Sequence, residues 1–393
     1  MELSTGQASA AMLEENFSAW LFSNFHHKDP ISDKILAIPP SATNSRPWLY
    51  LLRQDESAEK LVHIIEDNIL DHLPGRKRIY KSRQQFLSHL KEMAAGLEKV
   101  ACHYSPELPA ISHLDHGTAE MLERCGFSLA PASTLIHRLL GGLDQTEIES
   151  HLRAADHLYD IVAEVWKRLR KEMRSGAPIW ETTVQGWIMG MFEELELITD
   201  SPPIVALGEN SANPHYSPGD GAAERGAALS AGAVLLFDLW AKEKAPGSVY
   251  ADISWVGILD TRVPKKEETV FGTVVKARDL AVTFIAQSLA AGQSLSGEQV
   301  DREVRAFLED SGYGEAVKTR TGHGIDQEVH GFGANLDSIE FPDSRLLLEG
   351  SCFSVEPGIY LDDFGMRSEI NVYISGGKPI VSGKKLQFEL LRF

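Results

Sequence analysis

Four carboxylates and one histidine are set into otherwise apolar, strand-like sequence in the second half of the chain, and they restrict its possible folds more than any other feature. Asp238 closes the run Ala233-Val-Leu-Leu-Phe, and Asp252 lies within Tyr250-Ala-Asp-Ile-Ser-Trp. Glu356 follows Phe353-Ser-Val, and Glu369 lies in Met366-Arg-Ser-Glu-Ile-Asn-Val-Tyr. A charge among residues bound for a core needs a partner. His323 stands between Gly322 and Gly324, where small neighbours let backbone and ligand approach closely. Four acids and one imidazole form an oxygen-rich set suited to a pair of Mn²⁺, Co²⁺, Fe²⁺ or Zn²⁺ ions, and two divalent cations would offset the repulsion among the acids. Taken singly, each acid also fits a strand edge or a solvent-facing position, and Gly-His-Gly also fits a turn.

The rest of the sequence sorts into two parts. Between about residues 17 and 130, apolar runs such as Trp48-Leu-Tyr-Leu-Leu52 and Lys99-Val-Ala-Cys102 alternate with helix-like stretches at 57–68 and 83–98, an α/β pattern. Phe86, Leu90, Met93 and Leu97 recur at helical spacing and predict a face packed on a sheet. Gly141-Gly142 breaks this pattern and Asp144 can cap a following helix, which sets the domain border at 142: one domain over 1–142, another over 143–393. In the second, the apolar positions from Ile148 to Leu169 trace a helix of about seven turns. Further helices are expected at 181–195, 266–291 and 297–311, and strands at 203–207, 233–238, 251–257, 351–356, 366–374 and 388–391.

Composition removes several classes of function. Lys plus Arg number 38 against 56 Asp plus Glu, and the net charge of −18 argues against nucleic acid or an anionic membrane as main partner. The first 17 residues, with Glu2, Glu14 and Glu15, lack the basic-then-apolar pattern of a secretory leader. Asp238 and Gln287 interrupt the apolar runs 231–240 and 280–291, so no membrane span is expected. Cys102, Cys125 and Cys352 are dispersed and odd in number, which fits neither a disulfide framework nor a thiolate zinc site and points to a reducing, cytoplasmic compartment. Cys352 reads as a packed strand residue. His113-Leu-Asp-His116 outwardly resembles a metal cluster but, like His26, His27 and His103, reads as structural.

Six motifs carry a resemblance. Asn213-Pro-His-Tyr216, Leu236-Phe-Asp238, Ala251-Asp-Ile-Ser254, Thr321-Gly-His-Gly-Ile-Asp-Gln-Glu-Val-His330, Val355-Glu-Pro-Gly-Ile-Tyr360 and Gly365-Met-Arg-Ser-Glu369 resemble, in order, the motifs of the pita-bread metallopeptidases. That family includes methionine aminopeptidase, Xaa-Pro aminopeptidase and Xaa-Pro dipeptidase (prolidase). The likeness covers about residues 145–393, and the N-terminal part resembles the smaller α/β domain of the creatinase and prolidase branch. It implies an α+β chain with a C-terminal pita-bread domain, a curved antiparallel sheet with two helix pairs. It further implies that Asp238, Asp252, His323, Glu356 and Glu369 bind two divalent metals, Mn²⁺ foremost, with Asp252 and Glu369 bridging. In that scheme a bridging water attacks the scissile carbonyl and Glu356 shuttles its proton to the leaving amine. His215 and His330 match two histidines that hydrogen-bond the substrate, and Arg367 matches an arginine supporting the bridging carboxylates or a substrate carboxylate.

Three departures bear on substrate choice. Asp252 is followed by Ile253-Ser-Trp-Val256 where the family has Ile-Thr-Arg-Thr, although Ser254 keeps a hydroxyl to donate to a neighbouring carboxylate. The stretch between Asp238 and Asp252 is longer than usual and carries Lys242, Glu243 and Lys244, and Gly331 replaces a glutamate after His330. The resemblance implies an aminopeptidase or dipeptidase acting on short Xaa-Pro peptides as a homodimer. A metal-dependent hydrolase of a small amide or other C–N bond, and a binding protein without turnover, are the alternative readings.

Overall fold

The computed structural model describes residues 4–217, 225–383 and 385–393. The chain divides into two compact units, Met1–Leu139 and Leu140–Phe393.

The first unit runs α1 (Thr5–Glu14), β1 (Ala19–Asn24), α2 (Pro30–Ile35), β2 (Trp48–Arg53), β3 (Ala58–His63), β4 (Arg76–Tyr80), α3 (Arg83–Ala94), β5 (Val100–Cys102), α4 (His116–Arg124), β6 (Leu129–Pro131) and α5 (Ser133–Leu140), whose last residue opens the second unit. Its strands form one mixed sheet in the order β4-β3-β2-β1-β5-β6. Leu21, Leu49 and Leu51 pack with Phe86, Leu90 and Met93 of α3, while Trp20 and Phe22, alternating to the opposite face, stack at 4.6 Å. Both faces are covered, which is why β1 and β2 read as unbroken apolar runs.

Residues 57–68 do not form the expected helix. β3 pairs antiparallel with β2 and parallel with β4, and Lys60 is buried with its ammonium donating to the carbonyls of Leu70 (3.1 Å) and Leu73 (2.7 Å). Two free neighbouring strands outweighed local helical propensity. His103 is structural: Trp20 Nε1–H donates to its Nε2 (3.0 Å) and its Nδ1 meets Asp29 Oδ2 at 2.6 Å. Asp115, within the outward metal-like cluster, caps α4 by accepting from the Thr118 N–H.

The second unit opens with α6 (Gln145–Met173), begun by a capping box in which Asp144 and Glu147 each accept the other's backbone N–H. There follow α7 (Glu181–Glu194), β7 (Leu197–Ile198), β8 (Ile204–Leu207), β9 (Val234–Glu243), β10 (Ala251–Ile258), α8 (Lys265–Ala290), α9 (Gly297–Asp310), β11 (Cys352–Val355), β12 (Gly358–Tyr360), β13 (Gly365–Arg367), β14 (Ile370–Ser375) and β15 (Lys378–Val381). β7, β8 and β10 pair antiparallel with β9; β11-β14-β15 and β12-β13 are also antiparallel. Two helix pairs cover these strands. α6 and α7 share a core with Leu235, Phe237 and Ile253, and α8 and α9 share another with Leu236, Val256, Phe353 and Val372. Alternate residues of β9 and β10 thus enter the two cores, the α+β layering expected of the C-terminal half.

One glycine sets the approach of α6. A Cβ at Gly257 on β10 would lie 2.2 Å from the Trp166 ring. The expected strand at 388–391 is reduced to one bridge, Leu391 beside Gly257; the Leu391 N–H donates to the Val256 carbonyl (3.1 Å), which also accepts from the Gln387 side-chain amide (2.5 Å), while the Val256 N–H donates to Gln387 Oε1 (3.1 Å). The expected strand at 366–374 is interrupted at Ser368 and Glu369. Among the described residues no helix is long and apolar enough to cross a membrane.

Candidate metal centre

Strand pairing brings the acids together. β9 and β10 set Asp238 opposite Ser254 and Asp252 opposite Trp240. Asn371 on β14 clamps Asp252, accepting from its N–H (2.8 Å) and donating to its carbonyl (2.6 Å). Glu369, in the break before β14, donates its N–H to the Ser254 carbonyl (3.3 Å), and Glu356, just past β11, donates its own to the Thr321 carbonyl (2.7 Å). The N–H of His323 donates to Ser354 Oγ (2.9 Å), and this approach needs the flanking glycine, since a Cβ at Gly322 would lie 2.0 Å from the Ser354 carbonyl oxygen.

Asp238, Asp252, His323, Arg367 and Glu369 are all buried. The ligand atoms of Asp252, His323 and Glu369 lie within 4.8 Å of one another. His323 Nε2 is 3.5 Å from Asp252 Oδ2 and 3.4 Å from Glu356 Oε1. Ser254 Oγ is 3.0 Å from Asp238 Oδ1 and 2.8 Å from Glu369 Oε2, and accepts from Arg367 Nε (2.9 Å). Arg367 also pairs with Asp238 Oδ2 and donates to the Tyr360 hydroxyl (3.1 Å). Asp252 Oδ1 and Glu369 Oε1 are buried with no hydrogen-bond partner. Buried oxygens of this kind require a donor or a cation, and an oxygen-rich set with one imidazole fits divalent metal ions.

Burial and mutual repulsion explain the electrostatics. Asp238 is pushed up to about 7 by burial, with Asp252 and Glu356 adding and Arg367 opposing. Asp252 is raised by burial and Glu356, and Glu369 by burial, Asp252 and Glu356. Burial lowers His323 despite the pull of Glu356. Arg367 is raised, because Asp238 and its neighbours outweigh the cost of burial. Compensating cations would lower all three carboxylates again.

The acids line a cavity of about 830 Å³ shared with His215 and His330. His215 lies in the loop after β8, its N–H donating to Asn213 Oδ1 (3.1 Å). The rings of His330 and His323 meet edge to face at 4.4 Å. His330 is exposed in the cavity, yet the protein around it, then His323 and Arg320, lower its pKa to about 4. Both histidines and all five expected ligands therefore share one cavity wall, while Arg367 is turned to Asp238. Cys352 is buried with its Sγ 3.8 Å from His151 Nε2, and burial raises its thiol pKa. Ser354, Asn371 and Arg320 escaped the sequence reading; only their nearness to the motifs marked them.

The model of metallopeptidase family M24 matches residues 150–376. Xaa-Pro dipeptidase of Lactobacillus delbrueckii subsp. lactis is 32% identical over 172 residues, 44% of this chain and 41% of that protein, so the match spans about two fifths of the relative's length. Dipeptidase PepE of Mycobacterium ulcerans has a TM-score of 0.73 at 20% identity, over 99% of this chain and 96% of that one. The N-terminal domain of FACT complex subunit SPT16 from Cicer arietinum has a TM-score of 0.66 at 12% identity, over 96% and 94%. At these identities the two structures show the fold alone.

Proposed function

The chain belongs to metallopeptidase family M24, and from that premise we propose that it is an Xaa-Pro peptidase, an aminopeptidase or dipeptidase releasing the residue before proline from short peptides. The observation that carries the reading is the pair of partnerless buried oxygens, Asp252 Oδ1 and Glu369 Oε1, on the wall of a substrate-sized cavity. The name of the Lactobacillus relative supports proline as the second residue. Asp238, Asp252, His323, Glu356 and Glu369 would hold two divalent cations, Mn²⁺ foremost. Such ions supply Lewis acidity and a water acidic enough to act as nucleophile near neutral pH.

The chain's own side chains do the rest. Glu356 accepts the proton of the attacking water and delivers it to the leaving nitrogen. His215 and His330 hydrogen-bond the scissile carbonyl oxygen as it gains charge; a neutral imidazole, the form favoured at His330, keeps one N–H for this. Arg367 and Ser254 hold Asp238 and Glu369 in place. Proline presents a tertiary amide with no N–H, so its recognition makes no demand for a backbone acceptor. Residues 143–393 form the catalytic domain and 1–142 the accessory one. The free, buried cysteines support a cytoplasmic setting, and the reading includes a homodimer.

The test is hydrolysis of Ala-Pro, Ala-Pro-Ala and Ala-Ala by metal-stripped protein reloaded with Mn²⁺, Co²⁺ or Zn²⁺. Metal-dependent cleavage confined to the proline peptides is expected. Equal cleavage of Ala-Ala contradicts the proline reading, and no cleavage by the loaded protein turns the search to small amides.

A further inference from the structure

The first unit holds a cavity of its own, of about 480 Å³, a volume suited to a small molecule. It lies against the carboxyl ends of β1, β3 and β4, which run in one direction beside the antiparallel β2. Open α/β sheets hold their ligands at that edge. Phe25 follows β1, His63 ends β3, and Tyr80 ends β4 and leads through Lys81 and Ser82 into α3. Leu49, Phe86 and Met121 give the cavity an apolar wall.

In a chain of net charge −18, the charged lining of this cavity is basic: Lys28, Arg46, Lys81 and Arg83 against Asp29 and Asp115. Both acids are engaged elsewhere. Asp29 meets His103 Nδ1 at 2.6 Å and accepts the N–H groups of Ile31 and Ser32 (3.0 Å each). Asp115 accepts the N–H (3.0 Å) and hydroxyl (2.7 Å) of Thr118. Of the cations, Arg46 donates to Ser45 (2.8 and 3.2 Å), and the Lys28 ammonium lies 5.4 Å from the centre of the Phe25 ring. Among the described residues, the side chains of Lys81 and Arg83 have neither a hydrogen bond nor an ion pair. They flank Ser82, the N-cap of α3, whose hydroxyl takes the Gln85 N–H (3.3 Å). One cap leaves further N–H groups at that end for an anion, which the helix dipole also favours. Trp48 supplies an independent sign of a missing ligand. It lines the same cavity, is 1% exposed, and its indole N–H has no hydrogen-bond partner among the described residues.

We propose that this cavity binds a small phosphate monoester, with its phosphate held by Lys81, Arg83 and the first turn of α3 and its organic body on the apolar wall. Two unpaired cations beside a helix N-terminus match a dianion better than a single carboxylate. The Trp48 N–H adds a donor for the ester. The cavity shares no lining residue with the metal centre, so the proposal stands apart from the peptidase reading.

The test is calorimetric titration of the metal-loaded chain with phenyl phosphate, inorganic phosphate, benzoate and benzyl alcohol. It is repeated on the double variant Lys81→Gln, Arg83→Gln, on Trp48→Phe, and on Glu369→Gln, which removes a ligand of the metal centre. Phenyl phosphate is expected to bind at a single site per chain, more weakly as salt rises. It should bind several-fold more tightly than inorganic phosphate, which lacks the apolar body, or benzoate, which lacks the second charge, and benzyl alcohol should give no heat. The double variant loses about tenfold or more in affinity, the size of lost charge-assisted hydrogen bonds. Trp48→Phe, which keeps a ring and removes the donor, loses about threefold, and Glu369→Gln keeps the parent's affinity. A parent that does not bind phenyl phosphate, or a double variant that binds it as the parent does, overturns the proposal. So does binding lost in Glu369→Gln, which would assign the phosphate to the metal centre, or benzoate bound as tightly as the phosphate.

Discussion

Ser254 joins groups that would otherwise repel or stand apart. Its oxygen accepts from Arg367, and its single proton lies within reach of both Asp238 and Glu369, so one hydroxyl links two carboxylates of the centre. Ser254→Ala leaves Arg367 Nε without that acceptor and both acids without that donor. It is expected to weaken metal binding by about tenfold and stability by about 1–3 kcal/mol, read by chelator competition and urea unfolding; parent-like values in both would refute this role. The acids themselves were legible because a charge within an apolar run has few explanations. Asn371 and Ser354 were not, since a polar residue in a strand gives no pattern until its partner strand is known; Asn371 acts across 119 positions on the backbone of Asp252. Arg367 was expected to serve either the bridging carboxylates or a substrate carboxylate, and it pairs with Asp238, outside that bridging pair.

Among the elements, those with strong internal periodicity were readable and those decided by neighbours were not. α6 follows its apolar spacing and its capping box almost to the residue, whereas 57–68 became β3 because β2 and β4 offered it partners. The 388–391 strand shrank to a single bridge beside Gly257, where the Gln387 side chain holds the Val256 N–H and shares the Val256 carbonyl with Leu391. The break between β13 and β14 is where Glu369 leaves the strand, and no alternation rule announces it. The seat of α6 on β10 gives an element-scale prediction. Gly257→Ala drives a methyl into the Trp166 ring and is expected to cost about 1–3 kcal/mol by overpacking, with Trp166→Phe restoring part of the loss. Urea unfolding at fixed metal concentration checks it, and an unaltered midpoint would show that α6 can shift at no cost.

At the scale of the molecule, the second unit places two helix pairs on strands whose shared sheet residues feed both cores, and the acids enter from strands far apart in sequence. Six ordered motifs made that arrangement legible because each keeps its residue types for chemistry; the substrate preference was not legible, since cavity walls come from loops without a motif. The net charge of −18 adds to the case for cations at the centre, where negative charge is already concentrated. We propose that this centre holds two metal ions on its carboxylates, and the direct measurement is the number of Mn²⁺ ions bound per chain after stripping and reloading. The parent and Glu356→Gln, measured beside Glu369→Gln, should bind about two, about two and fewer than one respectively, with turnover nearly lost in Glu356→Gln. A parent chain that binds none, or a Glu369→Gln chain that still binds two, would contradict it.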